Sequence, residues 1–245
     1  MKKKEFRENS LRLVAFAIIC MGLISCGDDD NNNTDRTEGS GYIDNHAYVD
    51  LGLSVKWATM NVGAVNSPDV GSYFAWGEVA EKEDYSWATY KWANGTETSM
   101  TKYCVDSSYG TIDNKSVLEK SDDAASVNWG GSWRMPTDNE WRELKTQCTW
   151  TWYGPMNTEF LGVMGYKVQS RVEGNSNYIF LPYSGFYSGT NRIFLGESDG
   201  EYWSSSLSQR NFEALVCWFL PDDHKPTSLL NGGRCEGRPV RAVHP

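Results

Sequence analysis

The chain has 245 residues, 22% of them charged, and a formal net charge of −9. Residues 1–25 hold five basic and two acidic side chains, so the remainder carries −12. That excess of carboxylates argues against nucleic acid or an anionic membrane surface as partner, since both require clustered Lys and Arg.

At the N-terminus, Lys2, Lys3, Lys4, Arg7 and Arg12 precede an apolar run over residues 13–24. A basic segment followed by a short apolar one is the layout of a secretory signal, placed at residues 1–25. The run is shorter than the roughly 20 apolar residues of a spanning helix. Leu23-Ile24-Ser25-Cys26 resembles the bacterial lipobox. That resemblance implies that Cys26 is acylated, with palmitate among its chains, and becomes the new N-terminus. Two or more acyl chains give a stable membrane anchor where one gives only marginal binding.

Residues 26–41 contain no aliphatic or aromatic residue beyond Cys26. Such a segment cannot offset its ordering entropy by burial and reads as a disordered acidic, Asn-rich tether. Its Asp28-Asp29-Asp30 run resembles the surface-export signal of Bacteroidetes lipoproteins, which implies an outer-membrane protein displayed at the cell surface.

All 11 tryptophans fall between Trp57 and Trp218, with no composition break, so residues 42–245 read as one domain. Short strands separated by Gly/Asn/Ser turns are expected over residues 48–51, 56–62, 165–170, 178–181, 202–205, 214–220 and 240–243. The turn Glu173-Gly174-Asn175-Ser176-Asn177 should join the third and fourth into a hairpin. Thr137-Asp138-Asn139-Glu140 is a capping box, after which Trp141, Leu144 and Cys148 share one helical face. A second short helix is expected from Ser121. Two small helices against short twisted strands make an α+β domain.

Several motifs in this stretch resemble the Fibrobacter succinogenes major paralogous domain family. They include Val55-Lys56-Trp57-Ala58-Thr59-Met60-Asn61-Val62-Gly63, Tyr73-Phe74-Ala75-Trp76-Gly77-Glu78 and Trp129-Gly130-Gly131-Ser132-Trp133-Arg134-Met135-Pro136. Further matches are Tyr202-Trp203-Ser204-Ser205-Ser206 and Gly237-Arg238-Pro239-Val240-Arg241. The resemblance implies a C-type-lectin-like fold, related to the formylglycine-generating-enzyme type, with close termini and long displayed loops. It does not name a ligand, because fold alone does not give function.

The residues give little support to catalysis. His46, His224 and His244 stand in no zinc-ligand spacing and read as solvated. Ser204-Ser205-Ser206 lacks the Gly-x-Ser-x-Gly elbow of a serine nucleophile. The calcium signatures of sugar-binding lectin domains are absent. No catalytic residue, metal or cofactor is therefore expected. After lipidation of Cys26, four cysteines remain: Cys104, Cys148, Cys217 and Cys235. An oxidising compartment would pair them, and three pairings are possible. Chain position favours Cys104–Cys148 around the predicted helix and Cys217–Cys235 on neighbouring C-terminal strands.

Aromatic side chains give rigid contact area with a polar tip, and loops on a rigid scaffold carry binding residues. Trp57, Trp129, Trp133 and Trp141 read as core. The candidate ligand contacts are Tyr183, Phe186, Tyr187, Arg192, Glu201, Arg210, Trp218 and His224. The expected function is a lipid-anchored, non-enzymatic domain that binds a glycan or protein. The competing readings are an envelope assembly component and, ranked lowest, an enzyme of the formylglycine-generating type.

Overall fold

Short antiparallel strands and two helices enclose three aromatic clusters in the computed structural model, which describes residues 39–194, 199–221 and 228–245. The signal segment, Cys26, most of the tether and His224 lie outside the described residues. The first sheet joins both ends of the domain. It contains β1 (Ser40–Ile43), β2 (His46–Val49), β3 (Lys56–Asn61) and the last strand, β12 (Arg241–His244), in the order β1-β2-β3-β12. A second sheet orders β4 (Cys148–Tyr153), β5 (Gly165–Ser170) and β6 (Tyr178–Pro182) as β4-β5-β6. β7 (Phe186–Ser188) and β8 (Asn191–Ile193) form a two-stranded ribbon. β9 (Gly200–Leu207), β10 (Glu213–Phe219) and β11 (Ser228–Gly233) make the last sheet, ordered β11-β10-β9.

The strand-rich α+β architecture agrees with the sequence, and β5 and β6 form the expected antiparallel hairpin. Several boundaries differ. Ser40 and Gly41, read as tether, belong to β1. The sequence conceals β4, because Cys148 also fits a helix face. In the fold Cys148 caps the helix and opens β4, whose Cys148 and Trp150 point inward while Thr149 and Thr151 point out. That alternation is the two-residue period of a half-buried strand.

The described residues include two α-helices. α2 (Asp138–Gln147) starts at the expected capping box: Glu140 N donates to Thr137 Oγ1 at 3.3 Å, and Thr137 N donates to Glu140 Oε2 at 2.7 Å. Buried Trp141 and Leu144 face β4, β9 and β10. α1 (Ala124–Trp129) begins later than expected. Its cap is Asp123, whose carboxylate accepts from Ser126 N at 2.9 Å and Met135 N at 2.8 Å, leaving Lys120–Asp122 as a 3₁₀ turn.

One core cluster contains Trp57, Trp141, Tyr166, Tyr202 and Phe219, and a second contains Trp76, Trp133 and Trp203. A third gathers Tyr73, Tyr85, Tyr90 and Met100. Trp57, Trp133 and Trp141 are fully buried as expected. Trp129 is half-buried and stacks on His46 with centroids 3.9 Å apart. His46 is therefore a packed side chain rather than a solvated one, and burial lowers its pKa against the opposing pull of Asp44. His244 likewise packs edge-on against Trp133.

Three buried arginines tie the clusters together. Arg234 donates to Tyr90 Oη and to the carbonyls of Lys102, Tyr103 and Asn211, beneath the ring of Trp76. Arg241 donates to Asn61 Oδ1 and to the carbonyls of Ala58, Thr59 and Phe180, joining β3 to β6. Burial pushes its pKa down to about 10. Arg238 pairs with Glu201 and Glu236. A buried guanidinium is tolerated only when its donors are satisfied, which carbonyls do for Arg234 and Arg241 and carboxylates do for Arg238.

The expected disulfides are not formed. Cys104, Cys148, Cys217 and Cys235 are buried free thiols. The expected partners lie in different clusters: Cys148 and Cys217 pack in the first, Cys104 and Cys235 in the third. Side chains in separate clusters cannot reach the roughly 4 Å between Cβ atoms that a disulfide requires. Burial raises the Cys148 and Cys217 thiols to about 11 and Cys235 to about 12. Iodoacetamide at neutral pH should therefore leave these three unmodified in the native protein, and Cys104 as well because it is buried. Unfolding without reductant should expose four reactive thiols, countable by mass spectrometry; any lower count would mean that bridges exist.

Candidate functional site

Charged and aromatic side chains come together where the β11-β10-β9 sheet meets the loop carrying Trp87 and Glu97. A cavity of about 350 Å³ opens there. β9 contributes Glu201, β10 contributes Glu213, and Phe212 precedes β10. β7 supplies Phe186. After β11 a tight turn supplies Glu236, whose backbone N donates to Gly233 O at 2.9 Å while its Oε2 accepts from Gly233 N at 2.9 Å.

Arg238 forms one wall. Its Nε lies 2.6 Å from Glu201 Oε2, its Nη1 lies 2.8 Å from Glu236 Oε2, and its guanidinium sits 4.6 Å from the ring centres of Phe186 and Trp203. Burial alone would lower its pKa, but the two carboxylates outweigh that and raise it. The backbone makes room at Gly232, where a Cβ would stand 2.6 Å from the guanidinium carbon. Truncating one member of such a buried pair typically costs about 3–5 kcal/mol, so Glu201 and Arg238 are structural walls first.

Glu97 and Glu213 are left against this frame. Glu97 is exposed, whereas Glu213 is 9% exposed. Its Oε2 accepts no hydrogen bond, although the exposed Arg210 Nε stands 2.9 Å away as an ion-pair partner. Burial raises the Glu213 pKa first. Arg210 pulls it down, while nearby Glu236 and Glu97 push it up, and the net shift is upward. Among the described residues, the cavity thus gathers four carboxylates against one lining guanidinium, between the rings of Trp87, Phe186 and Phe212.

Two of the sequence candidates, Phe186 and Glu201, meet in this cavity, and Arg210 stands at its edge. Others do not. Tyr183 is a core residue, 6% exposed and packed on Trp152 and Phe219, so it cannot meet a ligand. Tyr187 is wedged between Tyr73 and Tyr85. Arg192 is exposed but donates to Ser184 O at 3.0 Å and lies over Tyr73. Trp218, half-buried on β10, directs its Nε1 at Asp199 Oδ2, 3.4 Å away. Sequence reasoning does not find Trp87, Glu97, Phe212, Glu213, Glu236 or Arg238. Only Arg238 carries a signal, since it belongs to the Gly237-Arg238-Pro239-Val240-Arg241 motif. Trp87 and Glu97 reach the cavity from a segment far from its other lining residues in sequence, with no local pattern.

Among the described residues, no group of three His, Cys, Asp or Glu side chains could hold a metal ion, and no helix is long and apolar enough to cross a membrane. No family model matches the chain, and no curated protein or solved structure matches it either.

The raised pKa of Glu213 gives a stability prediction. Its folded carboxyl holds a proton more tightly than the unfolded one, so this group's contribution favours the fold at low pH and is lost as pH rises through its folded pKa. Glu213→Gln should therefore raise the melting temperature at pH 7. That gain should shrink as pH falls toward the ordinary glutamate range, as followed by circular dichroism. An equal gain at every pH would point to packing rather than charge.

Proposed function

We propose that the chain is an envelope lipoprotein whose domain binds a ligand without catalysing a reaction, through the cavity beside β11. The resemblance at Cys26 supports a lipid anchor in the outer membrane, and the acidic run after it supports display at the cell surface. The strand-rich α+β fold, with its first and last strands in one sheet, is compatible with the C-type-lectin-like family the motifs resemble. The observation that carries the reading is the cavity itself, with its aromatic rings and unbalanced carboxylates.

Two of these carboxylates are engaged by Arg238 and Glu213 is paired with the exposed Arg210, so an incoming cation meets Glu97 and competes with Arg210 for Glu213. Carboxylates beside aromatic rings suit a cation, because both attract positive charge as water is excluded. A protein partner that inserts a Lys or Arg side chain fits this chemistry better than a neutral sugar does. Glu201 and Glu236 are held in ion pairs, an arrangement suited to shaping a binding wall rather than to shuttling protons.

The mature protein, solubilised in detergent, should bind immobilised Lys- or Arg-centred peptides in preference to neutral or acidic ones. Raising ionic strength should weaken that binding, as exposed charge pairs are screened over about 8 Å at physiological salt. Joint replacement Glu97→Gln and Glu213→Gln should reduce affinity roughly tenfold by surface plasmon resonance. Equal binding of all three peptide classes would sink the cation reading. The anchor is tested separately: Cys26→Ser should release the protein from the outer-membrane fraction on alkaline wash, and retention there would show that another element holds it.

A further inference from the structure

A second cavity, of about 330 Å³, lies between the N-terminal sheet and the start of β6. Among the described residues, it shares no lining residue with the cavity beside β11, so a ligand bound here is independent of the cation reading. None of the described residues that line it is charged. That is unusual in a chain with 22% charged residues, and it selects against ionic ligands, which would lose hydration there without gaining a counter-charge.

Tyrosines form the walls. Tyr42 on β1 is 70% exposed and Tyr178 on β6 is 38% exposed. Large exposed aromatics flanking a concave surface are available for contact rather than used in the core. Tyr48 lies between them in the lining, pressed against β1 at Gly41, where a Cβ would come within 3.2 Å of its ring. The directly paired Gly41 thus lets the Tyr48 ring lie close to the strand. Lys56 Nζ stands 4.9 Å from the ring centre of Tyr48, and Lys167 Nζ stands 4.1 Å from that of Tyr178. These contacts hold two of the rings in place while both ammonium groups stay outside the lining.

Hydroxyl groups complete the cleft. Ser67 Oγ donates to Thr59 O at 3.2 Å, and Thr59 Oγ1 donates to Ala47 O at 3.4 Å. Each hydroxyl proton is directed at a backbone carbonyl, so both oxygens retain lone pairs for an external donor. A wholly apolar ligand would cover those lone pairs without offering them a donor. The complementary ligand is uncharged, has a flat apolar face for the rings, and carries hydroxyl donors at its edge.

We propose that this cleft binds a neutral saccharide, with sugar C–H faces on the tyrosine rings and sugar hydroxyls donating to Thr59 and Ser67. No ion takes part, so binding is indifferent to chelators and to moderate salt. The test uses the mature protein in a detergent without a sugar headgroup, titrated calorimetrically with neutral hexasaccharides of glucose, mannose, xylose and N-acetylglucosamine. At least one should bind. Tyr42→Ala and Tyr178→Ala should each weaken that binding roughly tenfold, as expected for loss of an aromatic contact, with an unchanged melting temperature. Glu97→Gln and Glu213→Gln should leave it unaltered, which separates this site from the cavity beside β11. The proposal is overturned if no hexasaccharide binds, if binding needs calcium, if either tyrosine variant binds as well as the parent, or if only neutral peptides bind.

Discussion

Three guanidinium groups within eight residues of one another determine how the loops of this domain are held. Arg234, Arg238 and Arg241 are buried, and all three touch the second cluster, at Trp76, Trp203 and Ala58 respectively, while Arg234 also reaches Tyr90 of the third. Removing a guanidinium from water is costly, so each is stable only while its carbonyl and carboxylate partners stay in position. The dependence runs both ways. The carbonyls of Lys102, Tyr103 and Asn211, on loops between strands, would be left without a strong donor if Arg234 were absent. The partners are distant in sequence, with Arg241 and Asn61 separated by 180 residues. The core therefore closes only when the end of the chain meets its beginning, a topology in which non-local contacts slow folding.

That dependence also explains which elements are legible in the sequence. Signals contained within a few residues can be read directly. The capping box at Thr137 and Glu140 locates α2, and the alternating runs at residues 165–170 and 178–181 locate the β5–β6 hairpin. Where two local signals overlap, the reading fails. Cys148 fits the helical spacing of Trp141 and Leu144, yet it also opens an alternating strand, and the strand prevails because it pairs along its length with β5. β7, β8 and β11 are short or Gly/Asn-rich, and their pairing depends on neighbours rather than on pattern.

The candidate site is legible only where a residue's surroundings do not matter. Phe186 and Glu201 stand out because an aromatic and an acid in a loop-rich window attract attention. Their roles are not visible there: Glu201 is 3% exposed and holds Arg238. Tyr183 has the composition of a contact residue and the environment of a core one. Charged groups at buried positions follow partners brought in by topology, and neither Glu236 nor Trp87 announces such a meeting in its own neighbourhood. The two cavities then diverge for a physical reason. The one beside β11 inherits charge from the ion pairs that support Arg238, whereas the one beside β1 is framed by strands whose lysines turn outward over tyrosine rings.

The thiols complete the same logic. The N-terminal resemblance implies export, and exported domains often depend on disulfides because small cores are weak. This domain is large enough to bury three aromatic clusters, and its loops are bridged by guanidinium–carbonyl contacts that need no oxidation. Under those conditions a buried cysteine is a small apolar side chain filling a gap. Cys217 fits that description, fully buried among aromatic neighbours with its thiolate strongly disfavoured by burial. Because thiolate is the reactive form, a thiol held near 11 exchanges slowly whatever the redox state outside. Burial, rather than compartment, then governs the chemistry of these four side chains, and separation adds to it only between the two clusters, since Cys148 and Cys217 share the first and Cys104 and Cys235 the third.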